Sequence, residues 1–200
     1  MRMQASNNGV GPHPEPWPND SVYDHKLLEH GDSRNVVDKY RYWKVEAIKA
    51  DLDKTRFDIH IAIENWQHDF NIGTIVRNAN AFNIAAVHII GKKHWNRRGA
   101  MVTDAYMHIF HHVCIQDFQR AVQDRTIIGV DNIEGAQPIT TFNYPSKPLL
   151  VFGGEGPGLS KEMLDICRSI IMIPQYGSTR SVNVGVASGI ILHDIVRQST

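Results

Sequence analysis

The sequence predicts an α/β domain built on a parallel sheet with helices on both faces. Two observations carry that prediction. Short apolar runs at 57–63, 86–90, 126–130, 149–153 and 170–173 alternate with stretches of helical periodicity. After the first, these runs have almost no polar relief, the pattern of strands covered on both sides. A third observation bounds the size: 200 residues, 42% hydrophobic and 21% charged, suit one domain with a real core.

The elements follow in order. Four of the nine prolines lie between Pro12 and Pro18, so residues 1–20 read as a flexible, extended tail. Residues 21–56 read as a helical extension. Val36, Tyr40, Trp43, Ala47 and Ala50 recur at helical steps, and Asp32 or Ser33 is placed to cap the start. Its other face carries Arg34, Lys39, Arg41, Lys44 and Lys49, read first as solvated surface and second as an RNA contact. From residue 57 to 200 one domain is expected. Phe57–Ile63 alternates as a strand, 72–82 is helical, and 86–90 is a strand whose one polar residue is His88. A short strand is expected at 113–116, a helix at 118–123, and strands at 126–130 and 149–153. A helix at 159–168, a strand at 170–173 and a helix opening near Asn183 complete the series.

Composition excludes several classes. No apolar run approaches the ~20 residues of a membrane span, and MRMQASNNGVG has no signal-peptide core. Cys114 and Cys167 show neither metal nor redox spacing, which fits a reducing, cytoplasmic compartment. His108, His111, His112 and Cys114 match no zinc pattern and read as structural or surface groups, so no metal is expected. Zero net charge argues against a general nucleic-acid coat, so an RNA-acting protein of this sequence must gather its cations locally. The loop GKKHWNRRG does so. Lys92, Lys93, Arg97 and Arg98 surround Trp95, a mixture suited to phosphate contact and base stacking, directly after a strand.

Three segments hold the remaining chemistry-bearing residues. The first runs from Asn71 through Arg77 to Phe82 on a helix that is otherwise small and apolar, where a charge is costly unless a site needs it. The second, FGGEGPGLS, holds Gly153, Gly154, Glu155, Gly156 and Gly158 between a strand and a helix. It lacks the spacing of a dinucleotide fingerprint or a P-loop, and Ser160 with Leu159 and Leu164 is in part helix-start chemistry. Its glycines would still let backbone approach a flat ligand. The third, IPQYGSTRSVNVGVA, is a polar loop entering a buried small-residue helix, with Ser181 and Asn183 placed as caps or as site residues.

In this order the three segments resemble the SpoU (TrmH) family of RNA ribose 2′-O-methyltransferases, of the SPOUT class. The matching residues are Asn71, Gly73, Arg77, Ala79, Ala81 and Phe82, then Gly153, Glu155, Gly158 and Leu159, then Ile173, Pro174, Gly177, Ser181, Asn183, Val184 and Ala187. Departures are Asn83 for a glycine, Gln175 for a common methionine, and Val182 and Gly185 in the third motif.

The resemblance implies a C-terminal deep trefoil knot, S-adenosylmethionine as cofactor, a tRNA or rRNA substrate and a homodimer. It implies a cofactor site at Val130, Gly153, Gly154, Ile173, Gly177, Ser181 and Val182. Arg77, Asn71, Glu155, Ser181 and Asn183 are the implied catalytic residues, with Arg77 facing the target ribose, in cis or across the dimer. Residues 1–56 and the 91–99 loop are left to choose the substrate, tRNA being favoured over rRNA. Two rivals stand beside this reading. A nicotinamide-dependent oxidoreductase lacks its fingerprint here, and a non-catalytic RNA-binding module would require the loss of Arg77, Glu155 or Ser181, all of which are present.

Overall fold

The computed structural model describes residues 9–66, 71–154 and 157–200. The chain forms two compact units that divide between Lys54 and Thr55.

The first unit is organised by Asp32. Its carboxylate is buried and accepts both the Arg34 guanidinium, at 2.8 and 2.6 Å, and the backbone N–H groups of Arg34 and Tyr42. Burial alone would raise its pKa, but these donors outweigh burial and hold the group down at about 2. Two short helices flank it, α1 (His25–His30), capped by Asp24, and α2 (Val45–Leu52), which bury Leu28 and Ile48. The helix expected from Ser33 therefore starts only at Val45. Asp32 draws residues 34–42 into a turn, and Tyr42 takes a positive φ of 62°. Residues 10–17 lie along the same unit: Val10 pairs with Asp32, and His13 N–H donates to Leu28 O at 2.8 Å. Arg34, Lys39, Arg41 and Lys44 of the basic face are engaged internally. Lys39 and Lys54 pair with Asp51, Arg41 donates to Arg34 O, and Lys44 donates to Ser21 O.

The second unit begins with β1 (Phe57–Asn65), α3 (Ile72–Ala81), β2 (Ile84–Gly91) and β3 (Ile109–His112). It continues with α4 (Ile115–Ala121), β4 (Thr126–Val130), a two-residue edge strand β5 (Gln137–Pro138) and β6 (Pro148–Phe152). It closes with α5 (Lys161–Ile166), β7 (Ser169–Met172) and α6 (Val184–Ser199). The strands form one seven-stranded sheet in the order β3-β2-β1-β6-β4-β7-β5, with every pairing parallel.

Side-chain alternation along the strands builds two cores. Ile59, Ile61, Ile63, Val87 and Ile89 pack against Ile75 and Val76 of α3 and Ile191 and Leu192 of α6. On the opposite face Ala62, Ile90, Leu149 and Val151 meet Phe118 of α4 and Met163 of α5. Among the described residues no helix is long and apolar enough to cross a membrane.

The strand expected at 113–116 lies four residues earlier, and α4 already begins at Ile115. Histidine is the reason. Ile109–His112 pairs with Val87–Ile90, and its buried polar residue His112 is satisfied within the sheet. His60 Nδ1 meets His88 Nε2 at 2.9 Å, and His88 Nδ1 meets His112 Nε2 at 2.8 Å, a hydrogen-bonded row across β1, β2 and β3. His112 is thus joined to its neighbours in the sheet, and among the described residues no group of three potential ligands is placed to hold a metal.

Candidate active site

A parallel sheet gathers its loops at the carboxyl ends of its strands. Here β4, β6 and β7 end side by side, with Val130 paired to Phe152 and to Ile171. The chain after each enters a polar loop. Between these loops and the first turn of α6 lies a cavity of about 380 Å³. Its walls come from Val130, Asp131 and Asn132, from Phe152, Gly153, Gly154 and Gly158, and from Met172, Ile173, Gln175, Ser181, Val182, Asn183, Val184 and Ala187.

The glycine loop is shaped by contact. A Cβ on Gly153 would lie 2.1 Å from the Gly158 carbonyl carbon, so the two strands of the loop touch only because residue 153 has no side chain. Gly158 has φ +71° and its N–H donates to Gly154 O at 3.2 Å. Asp131 fixes the far side, accepting Leu159 N–H at 2.9 Å and Asn132 N–H at 2.8 Å. Glu64, buried at the end of β1, accepts the Ser160 N–H at 2.8 Å, the Ser160 hydroxyl at 2.7 Å and the Trp66 indole N–H at 2.8 Å. Ser160 in turn caps α5 through Met163 N–H. Burial and the Glu64 charge push the nearby Cys167 thiol up to about 12, which leaves it a poor nucleophile.

The third loop is tied down where it approaches α6. Asn132 Nδ2 donates to Arg180 O at 2.6 Å. Asn183 Oδ1 caps α6, accepting Gly185 N–H at 2.9 Å and Val186 N–H at 3.3 Å, while its Nδ2 donates to Asn71 Oδ1 at 3.0 Å. Asn71 is the residue that opens α3, and Arg77 lies exposed on that helix. One residue later, Asn78 donates to Gly185 O and to Ser188 Oγ, both at 2.9 Å, joining α3 to α6. The cavity wall and the helix that carries Arg77 are thus bonded to each other.

The sequence profile of the SpoU rRNA methylase family matches residues 58–193. The chain belongs to that family. Among SpoU-like proteins, it is 26% identical over 162 residues to the tRNA (guanosine(18)-2′-O)-methyltransferase of Aquifex aeolicus, covering 78% of this chain and 76% of that enzyme. It is 28% identical over 182 residues to an uncharacterized tRNA/rRNA methyltransferase of Mycobacterium ulcerans, covering 81% of this chain but only 54% of that relative. The crystal structure of the A. aeolicus TrmH/SpoU tRNA modifying enzyme superposes with a TM-score of 0.68 at 25% identity, over 77% of this chain and 81% of that one. AviRb of Streptomyces viridochromogenes, a SpoU methyltransferase crystallised with AdoMet, shares the fold with a TM-score of 0.64 at 23% identity, over 74% and 61% of the two chains.

Within this SpoU domain the candidate cofactor residues Val130, Gly153, Gly154, Ile173, Ser181 and Val182 line the one cavity, and Asn183 lines it too. Gly177 does not; it sits on the exposed part of the loop with no neighbour within 4 Å of where a Cβ would be. Asn71 joins the site through Asn183. Glu155 lies outside the described residues. Lys92, Lys93, Arg97 and Arg98 are exposed on the loop after β2. Trp95 is half-buried against the core, and Arg97 lies over its ring at 5.6 Å, so this indole is already covered.

The strand end Val130–Asp131, where the family resemblance puts a cofactor contact, does line the cavity. Sequence reading missed Asn132, Glu64 and Trp66, although Asn132 follows that same strand end, the signal that could have marked it. The cavity fits a flat heteroaromatic ligand with polar groups at its edges. Apolar side chains and bare glycine backbone supply the walls, and Gln175 Oε1 is buried without a hydrogen-bond donor among the described residues.

Proposed function

We propose that this SpoU-family RNA methyltransferase transfers a methyl group from S-adenosylmethionine to a ribose 2′-hydroxyl of structured RNA, tRNA favoured over rRNA. The observation that carries the reading is the Asn183–Asn71 hydrogen bond, which couples the cavity to the helix bearing an exposed arginine. Gly153, Gly154, Ile173 and Val182 would hold the adenosine end of the cofactor through backbone and apolar contact, and Gln175 Oε1 would accept one of its N–H donors. Bound there, the cofactor supplies a methyl group on a sulfonium, already activated toward an oxygen nucleophile. Arg77 would act as a clamp, holding the phosphate next to the target and orienting the 2′-hydroxyl in line with the methyl group, with that phosphate placed to take the hydroxyl proton. Asn183 and Asn71 keep that clamp in register with the cavity. Ser181 stands on the cavity wall near the reacting groups, and Glu155 belongs to the same centre in this reading.

The tRNA preference is supported by the A. aeolicus relative, which matches over three quarters of both chains. The mycobacterial relatives, of which this chain spans about half, support rRNA as the second reading. Val186 and Ile190, exposed one turn apart on α6, support a homodimer with Arg77 near its seam. The family's C-terminal knot belongs to the same proposal, supported by the fold shared with the A. aeolicus TrmH/SpoU enzyme. An RNA substrate and two free cysteines suit a reducing cytoplasm.

The deciding experiment maps 2′-O-methylated nucleotides by mass spectrometry in tRNA and rRNA from cells with and without the protein. One modified tRNA nucleotide is expected to disappear, and Arg77→Ala is expected to lose at least a hundredfold in rate while still binding S-adenosylmethionine. A protein that binds RNA yet leaves every 2′-hydroxyl unmodified is the non-catalytic module, and that result ends the proposal.

A further inference from the structure

We propose that Trp66 is a fixed stacking platform for an unpaired base of the RNA substrate. This rests on the methyltransferase reading above and adds to it a recognition residue outside the cofactor cavity.

The ring is exposed yet held. Trp66 follows directly on β1, at the carboxyl edge of the sheet, and is 43% exposed. Its indole N–H donates at 2.8 Å to Glu64, a carboxylate only 1% exposed that also holds Ser160 at the end of the glycine loop. The six-membered part of the indole lies on Gly91. That glycine has φ +98°, and a Cβ there would come within 2.6 Å of the ring carbon Cε3. A lone exposed aromatic needs no explanation. One pinned at its polar end and seated on bare backbone is preorganised, because its side-chain entropy is already lost before a ligand arrives.

The surroundings select the ligand. Gly91 leads into Lys92 and Lys93, both exposed. Asn65, the buried residue before Trp66, donates to Lys92 O at 2.7 Å and to His94 O at 3.2 Å, and Lys92 N–H donates back to Asn65 O at 2.9 Å. The paired register of Asn65 with Gly91 therefore fixes the backbone of Lys92 at the strand end that carries the ring, and Lys93 follows it. An exposed aromatic face close in the fold to two exposed lysines suits a base and its phosphates. Trp95, with Arg97 already over its ring, does not offer this.

The test uses the full-length protein and an unmodified tRNA transcript pool, with a ribosomal RNA fraction as the second probe. Trp66→Ala is expected to weaken RNA binding about tenfold, in line with the stacking of a single base. Trp66→Phe is expected to stay within about threefold. No charge is lost, so the salt dependence of binding should not change slope, whereas Lys92→Ala with Lys93→Ala should make it shallower. S-adenosylmethionine binding by calorimetry should be equal in all of them. RNA should also quench indole emission in the unaltered protein, and Trp66→Phe should remove most of that quenching. This comparison stands even if Trp66→Ala folds poorly. Unchanged RNA affinity in Trp66→Ala, or quenching that survives in Trp66→Phe, overturns the platform while methylation by the unaltered protein stays intact. An unaltered protein that neither binds nor methylates either RNA overturns both readings.

Discussion

At the scale of single residues, the site depends on what is missing from Gly153 as much as on what other side chains provide. The smallest possible addition, Gly153→Ala, places a methyl carbon 2.1 Å from backbone, which cannot yield as a flexible side chain would. The loop must open, and Asp131 must release Leu159 N–H or move with it. Gly153→Ala is therefore expected to weaken S-adenosylmethionine binding by tenfold or more, about 1.4 kcal/mol, measured by calorimetry. Wild-type affinity would show that the loop does not form the cavity wall. Asn183 separates two roles by chemistry. Asn183→Ala loses the cap of α6, worth about 1 kcal/mol, and should lower Tm by about 2–4 °C in scanning calorimetry. Asn183→Asp keeps a capping oxygen but no longer donates to Asn71, so it should retain Tm and lose methylation rate. If both variants methylate RNA normally, the bond between cavity and α3 has no part in turnover.

At the scale of elements, α3 and α6 form the seam on which the proposed catalytic geometry depends. Gly185 of α6 faces Thr74 of α3 so closely that a Cβ would lie 2.9 Å from Thr74 Cγ2. This residue, a departure from the family's third motif, is thus matched to a β-branched partner across the seam. Gly185→Ala is expected to destabilise by about 1–3 kcal/mol in denaturant unfolding. In a Thr74→Ser background, which removes Cγ2, that cost should fall by about 1 kcal/mol. Additive effects would mean the two helices do not touch there. The same seam shows what sequence could convey. The strands at 86–90, 126–130, 149–153 and 170–173 were legible because burial on both faces leaves a continuous apolar signature, and the one at 57–63 because its apolar residues alternate. Gly153, Ser181, Val182 and Asn183 were legible because their roles lie in local turn and cap chemistry. Trp66, Glu64 and Asn65 were not, since Gly91 under the ring, Ser160 on Glu64 and Lys92 on Asn65 are all distant in sequence and are brought near only by the fold. The helix expected at Ser33 failed for a different reason: buried Asp32 gathers Arg34 and the Tyr42 N–H, and this polar knot overrides the periodicity.

At the scale of the whole molecule, the histidine row makes stability depend on pH in a window that the carboxylates do not share. His60 is held down at about 4, by burial first and by the Arg125 charge second, with Asp58 and Asp124 opposing. His88 is held down at about 3, by burial and then by His60, His112 and Arg125. His112 is lowered by burial and His111, against Asp117, while Phe110 and Phe118 pack on the rings. An unfolded histidine titrates near 6.5, so below that pH the unfolded chain binds protons that the folded sheet refuses. Folded stability is therefore complete above about pH 6.5 and falls as pH drops toward 4 and then 3. Each histidine in that state adds about 1.4 kcal/mol per pH unit of slope. Most carboxylates protonate below about pH 4.5, which leaves pH 6.5–5 to report on histidines. Tm from scanning calorimetry should stay level from pH 8 to 6.5 and decline from there to pH 5. His88→Phe removes both hydrogen bonds of the central ring and is expected to lower Tm at pH 7.5. It should also flatten the decline, because the deepest proton-refusing group is gone. Parallel curves for the two proteins between pH 6.5 and 5 would mean that the row is not what couples this sheet to acid.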